Sequence, residues 1–199
     1  MNQLIDIDIE FYFNFRSPYC YLASNAVWDI FEGDHINLLW RPLGGWSGRS
    51  DPERAKIKIP SVRQDIKRWA NKLGIPMTPP PITTDPTRAG AASLLAEREG
   101  KLKDYIVEVM RAEWAEGRDI GDLGVLRDVA ERIGLDADAV ALAANDASNL
   151  AALDRHAEQA KVKNVFGVPS FVIGDEVFWG NDRLDFVREH VRDLRSVGQ

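Results

Sequence analysis

The sequence predicts an α/β protein in which a βαβ opening and a ββα ending form one mixed domain, split by an all-helical insertion. Three observations carry this reading. The aromatic-rich alternation of Ile9–Phe15 gives way within two residues to helical spacing; the signals from about Asp51 to Lys161 are helical throughout; and FVIGDEVFW places two short apolar runs around Gly174-Asp175. The implied boundaries are 1–50 for the first part, 51–160 for the insertion and 161–199 for the second part.

Each element has a local cause. IEFYFNF alternates large apolar with polar side chains, and its aromatic content suits a pleated surface. Ser17-Pro18 then starts a helix: serine caps exposed N–H groups, and proline at the first helical position forfeits no hydrogen bond. Leu22, Val27, Ile30 and Phe31 continue at roughly helical spacing until Gly33 stops the run. INLLW, Ile36–Trp40, reads as the second strand, ended by Arg41-Pro42 and the loop LGGWSGRSD. Within the helical block RQDIKRWANKLG and LKDYIVEVMRAEWAEG are amphipathic, and a proline-rich stretch from Ile75 to Pro86 separates them. Asp122 and Asp136 are placed to cap further helices, and SNLAALDRHAEQAK supplies one more. Gly174-Asp175 is a hairpin turn, and Gly180-Asn181-Asp182-Arg183 opens the last helix, LDFVREHVRDL.

Composition narrows the function classes. Apolar residues are 45% and charged residues 28% of 199, an ordinary globular balance. No segment reaches the roughly 18 apolar residues that suggest a membrane span, and the acidic start is unlike a secretory signal, so the expectation is a cytoplasmic protein with no membrane partner. A single cysteine makes no internal disulfide and argues against structural metal. A net charge of −6 disfavours nucleic acid, which is held by clustered Lys and Arg. An anionic substrate would need a local positive site.

The stretch RSPYC carries the chemistry. Three residues before Cys20, where a Cys-x-x-Cys pair would hold its attacking thiol, stands Ser17. A helix N-terminus carries roughly half a positive elementary charge, which in Cys-x-x-Cys proteins helps to acidify a thiol. A serine hydroxyl is too weak an acid to ionise there without a base. It can instead donate a hydrogen bond to a thiolate brought by another molecule, or simply cap the helix.

FYFNFRSPYCYLAS together with VFGVPSFVIGDEVFWGNDRLDFV resembles the 2-hydroxychromene-2-carboxylate isomerases, relatives of kappa-class glutathione transferases and, more distantly, of DsbA oxidoreductases. AEWAEGRDI fits as well, so the likeness spans nearly the whole chain. The resemblance implies a thioredoxin-like fold interrupted by helices, glutathione as cofactor, an aromatic small-molecule substrate and a homodimer. It implies that Ser17 activates the glutathione sulfur, with Tyr19 beside it. Val168-Pro169 would be the cis-proline loop whose backbone pairs with the tripeptide, Asn181 and Asp182 the anchor of its γ-glutamyl end, and Lys58 a partner of its carboxylate. The reaction implied is cis–trans isomerisation of an unsaturated keto acid through transient thiolate addition. A glutathione transferase or thiol-dependent reductase is the alternative, and a DsbA-like dithiol oxidoreductase is disfavoured by the serine. Cys20 stands where the family often has serine and is expected to pack as a small hydrophobe. Ser61 stands near a position expected to be aromatic, and LGGWSGR is shorter than the family's loop, so the acceptor pocket is expected to differ; Trp46 either lines it or packs the loop. His35, His156 and His190 show no triad spacing.

Overall fold

The computed structural model describes residues 6–33 and 35–197. Strand β1 (Ile7–Phe13) leads through helix α1 (Pro18–Ser24) to β2 (Ile36–Pro42). Six helices follow: α2 (Pro52–Leu73), α3 (Thr87–Arg98), α4 (Leu102–Met110), α5 (Leu123–Ile133), α6 (Ala137–Ala143) and α7 (Ala147–Val162). The chain closes with β3 (Ser170–Ile173), β4 (Glu176–Trp179) and α8 (Leu184–Val197). The sheet order is β2-β1-β3-β4, with β1 parallel to β2 and antiparallel to β3. This is the thioredoxin-like arrangement, and no helix among the described residues is long and apolar enough to cross a membrane.

The first strand begins and ends two residues earlier than its sequence pattern suggests. Ile7 and Asp8 pair with Ile36 and Asn37, which extends the start. At the other end Asn14 turns the chain, its carbonyl accepting the Ser17 N–H at 2.9 Å and its Oδ1 the Arg16 N–H at 3.0 Å. The helix expected from Ser17 to Gly33 is likewise broken. Ser24 Oγ donates to the Tyr21 carbonyl and the Trp28 indole to the Ser24 carbonyl, so side chains occupy acceptors that a continuing helix would use; only a 3₁₀ turn, Trp28–Phe31, follows. Asp122, Asp136 and Asp146 each accept from first-turn N–H groups of α5, α6 and α7. The run LKDYIVEVMRAEWAEG divides into α4 and a π-helical turn, Arg111–Ala115, which turns Glu113 inward.

The core joins the two ends of the chain. Phe11 on β1 stacks on Phe171 of β3 with ring centroids 4.7 Å apart, and both are fully buried. Trp40 closes over Phe11 and Phe13, and its indole donates to Ser93 Oγ at 2.9 Å, tying β2 to α3. Helix α7 also reaches the sheet, His156 Nδ1 lying 3.1 Å from the Pro42 carbonyl. The helices and sheet therefore share one continuous apolar core.

Candidate functional site

Ser17 lies just beyond the end of β1, buried, in extended backbone geometry as the N-cap of α1. Its hydroxyl accepts the Cys20 N–H at 3.4 Å and donates to the Val168 carbonyl at 3.3 Å. The Val168-Pro169 peptide is cis. The cap and the contact with the distant loop are thus made by the same oxygen. Both bonds are long, which leaves the hydroxyl free to turn toward a better acceptor. The backbone N–H groups of Tyr19 and Val168 have no partner among the described residues. Gly167 lets the Trp179 indole pack against this loop, since the indole fills the space where a Cβ would stand.

The other residues singled out from the sequence divide into two groups. Pro169 accepts the Gly180 N–H at 2.9 Å, which brings the 3₁₀ turn Asn181–Arg183 against the cis-proline loop. The Asn181 amide is half-buried with no hydrogen-bond partner among the described residues, and Asp182 pairs with neighbouring Arg183 at 2.7 Å. The Tyr19 hydroxyl donates to Asp65 of α2 at 2.9 Å; burial, then Asp65 and Asp182, push its pKa up to about 12. Lys58 and Ser61 stand apart on the exposed first half of α2, where Lys58 donates to Ser50 at 3.1 Å. His35 pairs with Asp6, His156 bonds Pro42 and His190 packs on Phe178, so the three imidazoles serve separate regions.

Cys20 is fully buried one turn behind Ser17, and burial raises its thiol to about 12 despite hydrogen bonding from the Asn14 backbone and Ser17. It cannot supply a thiolate at neutral pH. As the chain's single cysteine, it leaves the site without a nucleophilic sulfur of its own.

Sequence reasoning missed the polar frame around Ser17. Asn14, fully buried, donates through Nδ2 to the carbonyls of Ser47 at 3.0 Å and Gly45 at 3.3 Å, clamping the loop after β2 to the turn that carries Ser17. Arg16 lies against the Trp114 ring at 5.3 Å, donates to the Pro81 carbonyl at 3.0 Å and meets Glu113 Oε1 at 3.4 Å. Glu113 is wholly buried and its Oε2 has no partner among the described residues. No motif spacing announces an Arg–Glu pair 97 residues apart.

Burial pushes the Glu113 carboxyl well above its usual 4.5, with Asp119 adding to the rise while Arg16 and Arg49 oppose it. Between that ordinary value and the raised one, the folded chain keeps a proton that the unfolded chain has released. Stability contributed by this group therefore falls as pH rises through the window. Glu113→Gln, whose amide oxygen can still accept from Arg16, is expected to flatten that decline. Urea midpoints measured from pH 5 to 9 check it: parallel profiles for the two proteins would reject the assignment.

Fold and site together define a thioredoxin-like protein with a hydroxyl in the position of the attacking thiol. The chain matches the family model described as the DSBA-like thioredoxin domain over residues 8–192. It is 32% identical over 194 residues to the 2-hydroxychromene-2-carboxylate isomerase of Sphingobium xenophagum, covering 93% of this chain and 98% of the relative. The Pseudomonas putida protein of the same name is 31% identical over 189 residues, covering 88% and 90%. A 2-hydroxychromene-2-carboxylate isomerase of known structure superposes with a TM-score of 0.78 at 27% identity, covering 94% of this chain and 95% of the other. The chain belongs to the 2-hydroxychromene-2-carboxylate isomerase family, within the DSBA-like thioredoxin proteins.

Proposed function

We propose that the protein is a glutathione-dependent cis–trans isomerase acting on aromatic unsaturated keto acids; the names of its relatives support the isomerase activity, and the thiol dependence is argued from the site. The observation that carries this reading is the Ser17 hydroxyl held 3.3 Å from the Val168 carbonyl at the cis-proline loop, in a site whose one cysteine is buried. The residues present fit the tripeptide. The unpaired Val168 N–H offers one edge-strand bond, and the Val168 carbonyl keeps a second lone pair beyond the one Ser17 uses. The Asn181 amide can take the γ-glutamyl end, with Asp182 accepting from its ammonium group.

When bound, glutathione supplies the sulfur that adds reversibly to the conjugated system, so that a double bond becomes briefly a single bond and can rotate. Ser17 holds its own proton throughout. It turns its O–H from Val168 toward the sulfur, favouring the anion, while the Cys20 N–H keeps the serine oxygen oriented. The free Tyr19 N–H adds a fixed positive dipole on the same side. The burial of the surrounding aromatic core limits water and strengthens these dipoles.

The reading is tested by supplying purified protein with glutathione and a cis aromatic unsaturated keto acid, then weighing the products. Expected are conversion to the trans acid, total dependence on added thiol, and glutathione recovered in full. Net glutathione consumption would assign a transferase instead. Cys20→Ala is expected to retain turnover, because the buried thiol takes no part in the reaction; loss of turnover in a folded variant would revive a protein-thiol mechanism.

A further inference from the structure

The chain carries a net charge of −6, yet the loop that packs against Val168 holds a cation with no ion-pair partner among the described residues. Arg49 is half-buried in the loop between β2 and α2, its guanidinium 4.1 Å from the centre of the Trp46 ring. One nitrogen, Nη1, donates to the Gly45 carbonyl at 3.3 Å. Among the described residues Nε and Nη2 have no hydrogen-bond partner, and no carboxylate forms an ion pair with this side chain. Glu113 and Asp85 attract it from farther away; burial and the repulsion of Arg16 bring its pKa down to about 10, so it stays charged at neutral pH. Arg16, by contrast, is engaged by Glu113 and Pro81.

The loop is held where this charge is useful. Asn14 clamps Gly45 and Ser47, and the Thr87 hydroxyl accepts the Gly45 N–H at 3.0 Å. Gly48, at φ +70°, packs so closely that a Cβ would stand 2.8 Å from Val168 Cγ1, the residue whose carbonyl Ser17 reaches. Arg49 is the next residue. Its unused N–H groups form part of a planar fork matched to a carboxylate, and Trp46, which carries the guanidinium over its ring, is still 49% exposed and so keeps apolar indole surface for a second ring.

We propose that Arg49 and Trp46 form the subsite that takes the carboxylate and ring of an aromatic acid, and so set the enzyme's preference for ionised acceptors. This rests on the reading of Ser17 as the sulfur site only for the identity of the second reactant. A carboxylate could also come from glutathione. The planar indole beside the fork favours the aromatic acid, because the ends of the tripeptide carry no ring to lay on it.

The test uses equilibrium binding, independent of turnover, with cinnamate, its uncharged amide cinnamamide, and S-methylglutathione as probes on the full chain. The intact protein should bind cinnamate more tightly than cinnamamide. Arg49→Gln should weaken cinnamate roughly ten- to hundredfold, the range for a hydrogen bond to a charged group, while leaving cinnamamide and S-methylglutathione unchanged. Arg49→Lys should recover part of the loss, and gives a second variant if the glutamine protein folds poorly. Equal binding of the acid and amide by the intact protein would overturn the proposal. So would cinnamate affinity unaffected by Arg49→Gln, or a loss confined to S-methylglutathione, which would give Arg49 to the tripeptide. Ser17→Ala should leave cinnamate binding intact, so failure of the sulfur reading appears in a different variant from failure of this one.

Discussion

Ser17→Ala is expected to return the thiol of bound glutathione toward its ordinary pKa and to lower kcat/KM by roughly a hundredfold or more, the loss typical of removing one preorganised donor from a developing or resident anion. Each unit of thiol pKa is worth about 1.4 kcal/mol. The remaining first-turn N–H groups cannot replace the hydroxyl, because they are fixed while the hydroxyl alone can rotate from Val168 to the sulfur. The cap is lost as well, at a cost of about 1 kcal/mol. Ultraviolet titration of the bound thiolate separates the two effects, since a fold merely weakened at α1 leaves the thiol pKa alone. Ser17→Thr, which retains the hydroxyl, should keep the thiol acidic. An alanine variant with an unchanged thiol pKa and normal turnover would remove the basis of the proposed function.

Phe11→Ala should have the largest effect on stability, a loss of about 3–5 kcal/mol for truncation of a buried phenylalanine. Its ring stacks on Phe171, meets Phe13 and Trp40 edge-on, and touches Phe31, so one side chain links the strand before the helical block to the strand after it. Phe13, Trp40 and Phe171 are themselves fully enclosed, which leaves them little freedom to refill the space. The urea midpoint should fall with the slope unchanged, as for a loss of stability without a change in the surface exposed. A loss below about 1 kcal/mol, the average for any substitution, would mean that the two ends of the chain are joined elsewhere.

The element types were legible because their causes are local. Ser17-Pro18, the caps at Asp122 and Asp136 and the Gly174-Asp175 turn act over three or four residues, and the structure has a helix start, two capped helices and a hairpin at those places. The boundaries that sequence reading misplaced depend either on a strand partner far along the chain or on side-chain hydrogen bonds that the apolar pattern does not encode. Ile7 joins β1 because Ile36 lies opposite, and the helix after Ser17 stops at Ser24 because Trp28 folds back onto its carbonyl. The π turn at Arg111–Ala115 was invisible for a similar reason: its sequence reads as ordinary amphipathic helix, and its result, an inward Glu113, has meaning only against Arg16.

The same division runs through the site. The Ser17-Pro18 helix start is written in its own residues, whereas Val168-Pro169 and Asn181-Asp182 stood out only through the family resemblance. What tertiary structure alone decided is how these segments meet: the hydroxyl of Ser17 on a carbonyl 151 residues away, the closure of Gly48 onto Val168, and a guanidinium at Arg49 with no ion-pair partner among the described residues. The physical reason is range. Propensities, caps and turns are settled by neighbours along the chain, whereas burial, hydrogen-bond satisfaction and the cost of a dry charge depend on which distant segments arrive at the same place.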